Sequence, residues 1–166
     1  AAAHTGTIIE KGSGPQIQFS LSTVVPNFKF RCNANNGTGV VNVDTPTMNG
    51  AVKNWTHVAC TYNGTDLSIY TNGVLQNTAR IGIISSNTGD VVIGARSPTA
   101  GFFNGTIDDV RMWNMSFISQ QVNYTYTDIR TIHFLTTREN ELWKAQIAIN
   151  DRSRDGEERF SNEMLI

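Results

Sequence analysis

Charge is scarce in this chain of 166 residues: Asp, Glu, Lys and Arg together make up 16%, and the formal net charge is -1. Binding nucleic acid through its phosphates needs a basic excess, and a pI near 6.3 offers none, so nucleic acid is excluded as a partner. Apolar runs are short too. None approaches the roughly 20 residues that cross a bilayer, and the Ala1-Ala2-Ala3 start has neither the basic nor the apolar region of a signal peptide. The expectation is a soluble, mature or trimmed chain without membrane insertion. Glutamate is almost missing from the first 138 residues, where Glu10 stands alone. His4, His57 and His133 share no metal-ligand spacing with each other or with the two cysteines. No Ser or Cys nucleophile motif and no phosphate-cradling Gly loop occurs.

What is present is period two. Ile17, Phe19 and Leu21 alternate with Gln16, Gln18 and Ser20, and Phe28, Phe30 and Cys32 alternate with Lys29 and Arg31. Such alternation marks antiparallel strands with one wet face. Breaks at Lys11-Gly12-Ser13-Gly14-Pro15, Asn33 to Gly39, Asn63-Gly64-Thr65 and Asn72-Gly73 suit turns that need positive φ. Short strands at this spacing predict a sandwich. A chain of this length buries roughly two thirds of its unfolded surface, enough for one sizeable core. Phe117 to Val122 then reads as a short helical turn with Ser119 as N-cap.

From Arg138 onward the grammar changes, and the last stretch holds 12 of the 27 charged residues. Thr136 and Glu139 have capping-box spacing ahead of Leu142, Trp143, Ala145 and Ile149, which predicts a helix near 137–149 and a solvated tail beyond it. The organisation expected is a sandwich over 1–127 and an extension over 128–166. Six Asn-X-Ser/Thr sequons, at Asn36, Asn54, Asn63, Asn104, Asn114 and Asn123, stand against about three expected by chance and point to a secreted glycoprotein.

Four segments in order, Trp55 to Gly64, Leu67 to Gly73, Val91 to Gly94 and Gly105-Thr106-Ile107-Asp108-Asp109-Val110-Arg111-Met112-Trp113, resemble laminin-G-like modules of the concanavalin A-like superfamily and, more distantly, pentraxins. The resemblance covers residues 8 to 122. It implies an all-β fold, an antiparallel two-sheet jelly-roll sandwich that binds ligands, with a short helical and charged C-terminal tail. Such domains normally begin with one or two strands ahead of the one seen at Thr7 to Lys11. A sheet lacking a strand leaves backbone groups unpaired, so a neighbouring subunit, a separate fragment or the tail is expected to complete it.

The resemblance also sets the chemistry to look for. Glycosidases of the superfamily need two carboxylates on one strand face, whereas Asp108 and Asp109 are adjacent and, on a strand, point to opposite faces. No enzyme activity is expected. Asp108 shares a strand face with Val110 and Met112, so it must find backbone amides or a cation, calcium being the candidate. The loop Gly94 to Gly101 lacks the acidic ligands that pentraxins carry there. Cys32 and Cys60 lie on apolar strand faces and are either a disulfide or buried thiols; pentraxins place a cysteine where Cys60 sits, with its partner in the absent first strand, so Cys32 would be a substitute. Arg96, Phe102 and Phe103 fall where a rim loop would bind a sugar. Two functions follow: an extracellular or cell- or virion-surface module that recognises a glycan or a surface protein, or a structural subunit of an extracellular fibre, sheath or coat assembled by strand sharing.

Overall fold

The computed structural model describes residues 6–12, 16–48, 54–96 and 100–127, together with the backbone of four two-residue strands further on. Two compact units divide the chain, Ala1–Ile129 and Arg130–Ile166. The first contains two antiparallel sheets. The larger has the order β4-β3-β2-β1-β8, built from β1 (Thr7–Lys11), β2 (Phe19–Val24), β3 (Lys29–Asn35), β4 (Val40–Asp44) and β8 (Val91–Ile93). The smaller is β5-β6-β7, from β5 (Val58–Tyr62), β6 (Asp66–Thr71) and β7 (Val74–Arg80). The sandwich expected from the alternation is the architecture found.

Register explains how the faces divide. Ile93, Ile9, Leu21, Cys32 and Val43 form one rung across all five strands of the large sheet. Leu21, Cys32 and Val43 from that rung join Phe30, Ala34, Leu67, Ile69 and Ile81 in the main core. The next rung along is Val92, Glu10, Ser20, Asn33 and Asn42, and it faces the other way, because strand side chains alternate.

Turn chemistry sets the hairpins. Asn63 Oδ1 accepts from the Thr65 and Asp66 amides at 3.0 and 2.7 Å, folding β5 back onto β6 around Gly64. Asn72 and Gly73 both take positive φ, the requirement of a two-residue turn between β6 and β7. Thr45 closes the end of β4: its amide donates to Phe30 O and its hydroxyl accepts from Phe30 N.

Helix α1 (Ser119–Thr127) is longer than the predicted turn, and Ser119 is inside it rather than at its cap. Ile118 precedes the first turn, and Gln121 Oε1 accepts from its amide at 2.9 Å, half of a capping box. The Ser119 hydroxyl instead lies 3.4 Å from Tyr70 Oη, in a small cluster of Tyr70, Phe117 and Val122.

In the second unit the described residues are strands: β9 (Leu142–Trp143) pairs with β12 (Met164–Leu165), and β10 (Gln146–Ile147) with β11 (Arg159–Phe160). Those four residues of the helix expected near 137–149 are extended; Trp and Ile favour pleated backbone over helix. The remainder of that helix, and the rest of the tail, lie outside the described residues.

Cys32 and Cys60 form a disulfide with Cα atoms 6.0 Å apart, joining β3 of one sheet to β5 of the other. The thiol alternative is thereby removed. With 28 residues of sequence separation between the cysteines, the cross-link restricts the unfolded chain enough to contribute roughly 3–4 kcal/mol. Replacing both cysteines by alanine should lower the unfolding free energy by about that amount in guanidinium titrations; a loss below about 1 kcal/mol would show that the cores hold the sheets together without it.

Candidate functional site

The polar rung lines a cleft of about 370 Å³ on the face of the large sheet that is turned away from the core. Glu10 from β1, Ser20 and Ser22 from β2, Arg31 and Asn33 from β3, and Asn42 from β4 line it, with Arg96 and Gly101 at one end. The volume lies within the range of small-ligand sites.

Two buried acceptors in this cleft have no partner. Glu10 is only 3% exposed, yet its Oε1 accepts no hydrogen bond; the same holds for Asn33 Oδ1. The other end of Asn33 is fixed, since its Nδ2 donates to Ser20 Oγ at 2.8 Å. Burial pushes the Glu10 carboxyl above its ordinary value of 4.5, and the Arg96 guanidinium opposes that without reaching salt-bridge contact among the described residues. On the neighbouring rung Arg31 clamps Asp44 with two bonds of 2.6 and 2.7 Å, which holds the Asp44 carboxyl below its usual range.

Arg96 owes its position to backbone. Gly94 N donates to Ile8 O, Thr7 N to Gly101 O, and Phe103 N to Gly94 O, which staples the loop to β1. Gly101 has φ 69°, and a Cβ there would fall 2.5 Å from Arg96 Cβ, so only glycine lets the arginine sit over the cleft.

The three residues expected to bind therefore separate. Arg96 reaches the cleft. Phe103 is half-buried with its ring against Gly6 and Gly105, and Phe102 is 58% exposed outside the cleft lining. Glu10, Asn33, Ser20 and Asn42 were not singled out from the sequence as binding residues. Their signal was present in the polar half of the alternation in β1 to β4, which reads as a wet face until register aligns it into one row.

At Asp108 the strand placement fails, while the backbone-amide alternative is the one found. Asp108 is exposed, and residues Gly105 to Trp113 form no strand. Asp109 takes φ 51°, turning the chain, while Asp108 Oδ1 accepts from the Asp109 amide at 2.8 Å and Asp109 pairs with Arg111 at 2.8 Å. The carboxylate thus finds a backbone amide at a loop. Calcium needs six to eight oxygens, and among the described residues no group of three or more His, Cys, Asp or Glu gathers anywhere; the residues at Asp108 do not fit that ion.

A second feature lies at the small sheet. Among the described residues β5 pairs with β6 alone, and the segment Gly105 to Trp113 joins no ladder. Val110, Met112 and Trp113 are exposed along it, Met115 is exposed just beyond it, and Trp55 just before β5 is 69% exposed. His57 stands nearby, its Nδ1 buried without a partner; burial lowers its pKa, opposed by Asp109. No helix among the described residues is long and apolar enough to cross a membrane.

The sequons differ in surroundings. Asn36 is held at both ends, its Oδ1 accepting from Thr38 and Gly39 amides and its Nδ2 donating to Ile81 O. Asn123 packs on Gly73, whereas Asn54, Asn104 and Asn114 are exposed.

Two antiparallel sheets packed through one core, with a polar cleft on the larger, define a β-sandwich domain. A laminin-G family model, described as the concanavalin A-like lectin/glucanases superfamily, matches residues 1–123, and the chain belongs to that superfamily. Its members are often binding modules. No curated protein matches the chain. A solved domain of an S-layer domain-containing protein from Clostridium thermocellum is similar at 18% identity and TM-score 0.39, covering 75% of this chain; the match spans 64% of that domain.

The unpartnered Glu10 carboxylate is a liability that a neutral amide lacks. Its folded-state pKa is raised, so the unfolded chain ionises first as pH rises and stability falls from pH 4.5 upward through the folded value. Glu10→Gln should therefore raise the unfolding free energy at neutral pH by on the order of 1 kcal/mol, with the gap closing below pH 4.5. Denaturant titrations at several pH values test this, and a gap independent of pH would contradict the assignment.

Proposed function

We propose that this domain is a non-catalytic extracellular binding module that recognises glycans through the polar cleft of its five-stranded sheet. The observation that carries the reading is the pair of buried, unpartnered acceptors, Glu10 Oε1 and Asn33 Oδ1, on one rung of that face. Buried polar atoms normally have partners, and a ligand rich in hydroxyl donors supplies them. Hydrolysis is disfavoured by the same geometry. Glu10 is the one carboxylate among the described cleft-lining residues, and Asp44 lies three strands away, about 14 Å, beyond the 5–9.5 Å of glycosidase pairs. The disulfide supports an oxidising, extracellular or surface location.

The test is a glycan array with the intact chain. Retention that is lost in Glu10→Ala but kept in Phe102→Ala supports the cleft; retention lost in Phe102→Ala alone moves the site to the rim. Expression in a glycosylating host bears on the location: mass spectrometry should find sugar at Asn54, Asn104 and Asn114, and Asn36 and Asn123 bare.

A second reading, a structural subunit sharing strands between copies, is favoured by the edge of β5 and the segment Gly105 to Trp113, neither of which has a partner strand on that side among the described residues. Such an edge accepts a strand. If it does so between copies, electron microscopy will show ordered polymers that Val110→Lys with Met112→Lys dissolves, and a monomer at all concentrations would exclude it.

A further inference from the structure

The cleft's charges restrict the ligand more narrowly than the class glycan does, an inference that rests on the proposed glycan reading. The charged groups facing Glu10 among the described residues are Arg96 at the end of the cleft and Arg31 from β3. Arg31 is already neutralised by Asp44 through two short bonds, and Arg96 has Glu10 as its balancing charge. Ser20 and Ser22 from β2, Asn42 from β4 and Val92 from β8 add no charge. Among the described cleft-lining residues no surplus positive charge remains to attract an acidic sugar, Lys29 lying outside the lining beside Asp44, and an anion here would meet the Glu10 carboxylate.

The shape is equally specific. Glu10 and Asn33 belong to strands two apart, so their backbones are separated by about 10 Å, and Asn42 extends the row to about 14 Å. A single hexose meets one end of that row; a chain of sugars meets both. The row runs perpendicular to the strands, from Arg96 at one end towards Asn42 and Val40 at the other.

We propose that the cleft holds an uncharged saccharide chain laid across the strands, with hydroxyls donating to Glu10 Oε1 and Asn33 Oδ1, and that acidification releases it by protonating Glu10. A hydrogen bond to an ionised acceptor is about twice as strong as a neutral one. Ligand hydroxyls thus select the carboxylate form, and by linkage affinity is highest above the Glu10 pKa of the free protein and falls as pH drops through it. Burial raises that pKa above 4.5, which brings the release towards mildly acidic conditions.

Isothermal titration of the full chain with uncharged glucose hexasaccharides, β-1,3- and β-1,4-linked, with glucose, and with a galacturonic acid hexasaccharide tests this. An uncharged hexasaccharide should bind at least about tenfold tighter than glucose, and weaken about threefold or more between pH 7.5 and 4.5. Asn33→Ala should cost the hexasaccharide about tenfold, and Glu10→Gln, which keeps an acceptor and removes the buried charge, should abolish the pH dependence. Binding of the galacturonic acid chain that tightens on acidification would overturn the inference and leave the glycan reading standing. So would uncharged binding that is insensitive to both variants. If no saccharide of either charge binds at any pH, the inference and the glycan reading fall together.

Discussion

The register of the five-stranded sheet is the constraint on which everything else depends. Side chains alternate between faces, so a slip of one residue in β2 or β3 would bring Ser20 and Asn33 into the core and expel Leu21 and Cys32. Three devices oppose it. The Cys32–Cys60 bridge forms only if Cys32 faces the small sheet. Thr45 returns two hydrogen bonds to Phe30 and locks β4 to β3 at one end, and the Arg31–Asp44 clamp fixes the same pair on the outer face. Core and cleft are thus two sides of one alignment, and neither can be altered by a shift without losing the other.

The rim adds a second level of control, built from backbone instead of side chains. Gly94 and Gly101 take left-handed φ values that let the loop return onto β1, and the chain then passes so close to Gly6 that a Cβ there would meet Phe103 Cα at 2.8 Å. Arg96 is consequently delivered over the cleft by hydrogen bonds to Thr7 and Ile8, the same strand that carries Glu10. One short strand, β1, holds both ends of the charge pair. This coupling explains why an exposed arginine on an irregular loop belongs to the same site as a carboxylate that is almost fully buried.

Part of this was legible in the residues. Alternation located β2 and β3, Asn63-Gly64 and Asn72-Gly73 located the turns of the small sheet, and apolar neighbours located the buried face of Cys32, whereas Cys60 is exposed on β5. The family resemblance, drawn from four segments, holds over residues 1–123. The strand face expected for Asp108 fails because alternation assumes extended backbone throughout, and nothing in Ile107-Asp108-Asp109-Val110 announces that Asp109 adopts positive φ and breaks the period; the backbone-amide partner expected as one alternative is present. The cleft was missed for a different reason. Its residues come from four strands that are distant in sequence, and a polar strand face looks the same whether it meets water or a ligand. Only register aligns Glu10 with Asn33, and only their buried, unpartnered oxygens distinguish that pair from the half-buried Gln18, Lys11 and Lys29 nearby.

The near absence of glutamate before residue 139 takes on meaning from that burial. A carboxylate 3% exposed with a free oxygen is held against a desolvation cost that Gln or Ser would avoid at the same position. Neighbouring Arg31 could have compensated it, but that guanidinium is committed to Asp44, and Arg96 stands close enough to influence Glu10 without bonding it. The arrangement leaves one acceptor strong and unsatisfied where every other charged group of the cleft is balanced. A second carboxylate within reach would turn such a site towards acid–base chemistry; with Asp44 three strands away and neutralised, the physical consequence is an acceptor that can hold a donor and has no partner with which to cleave it.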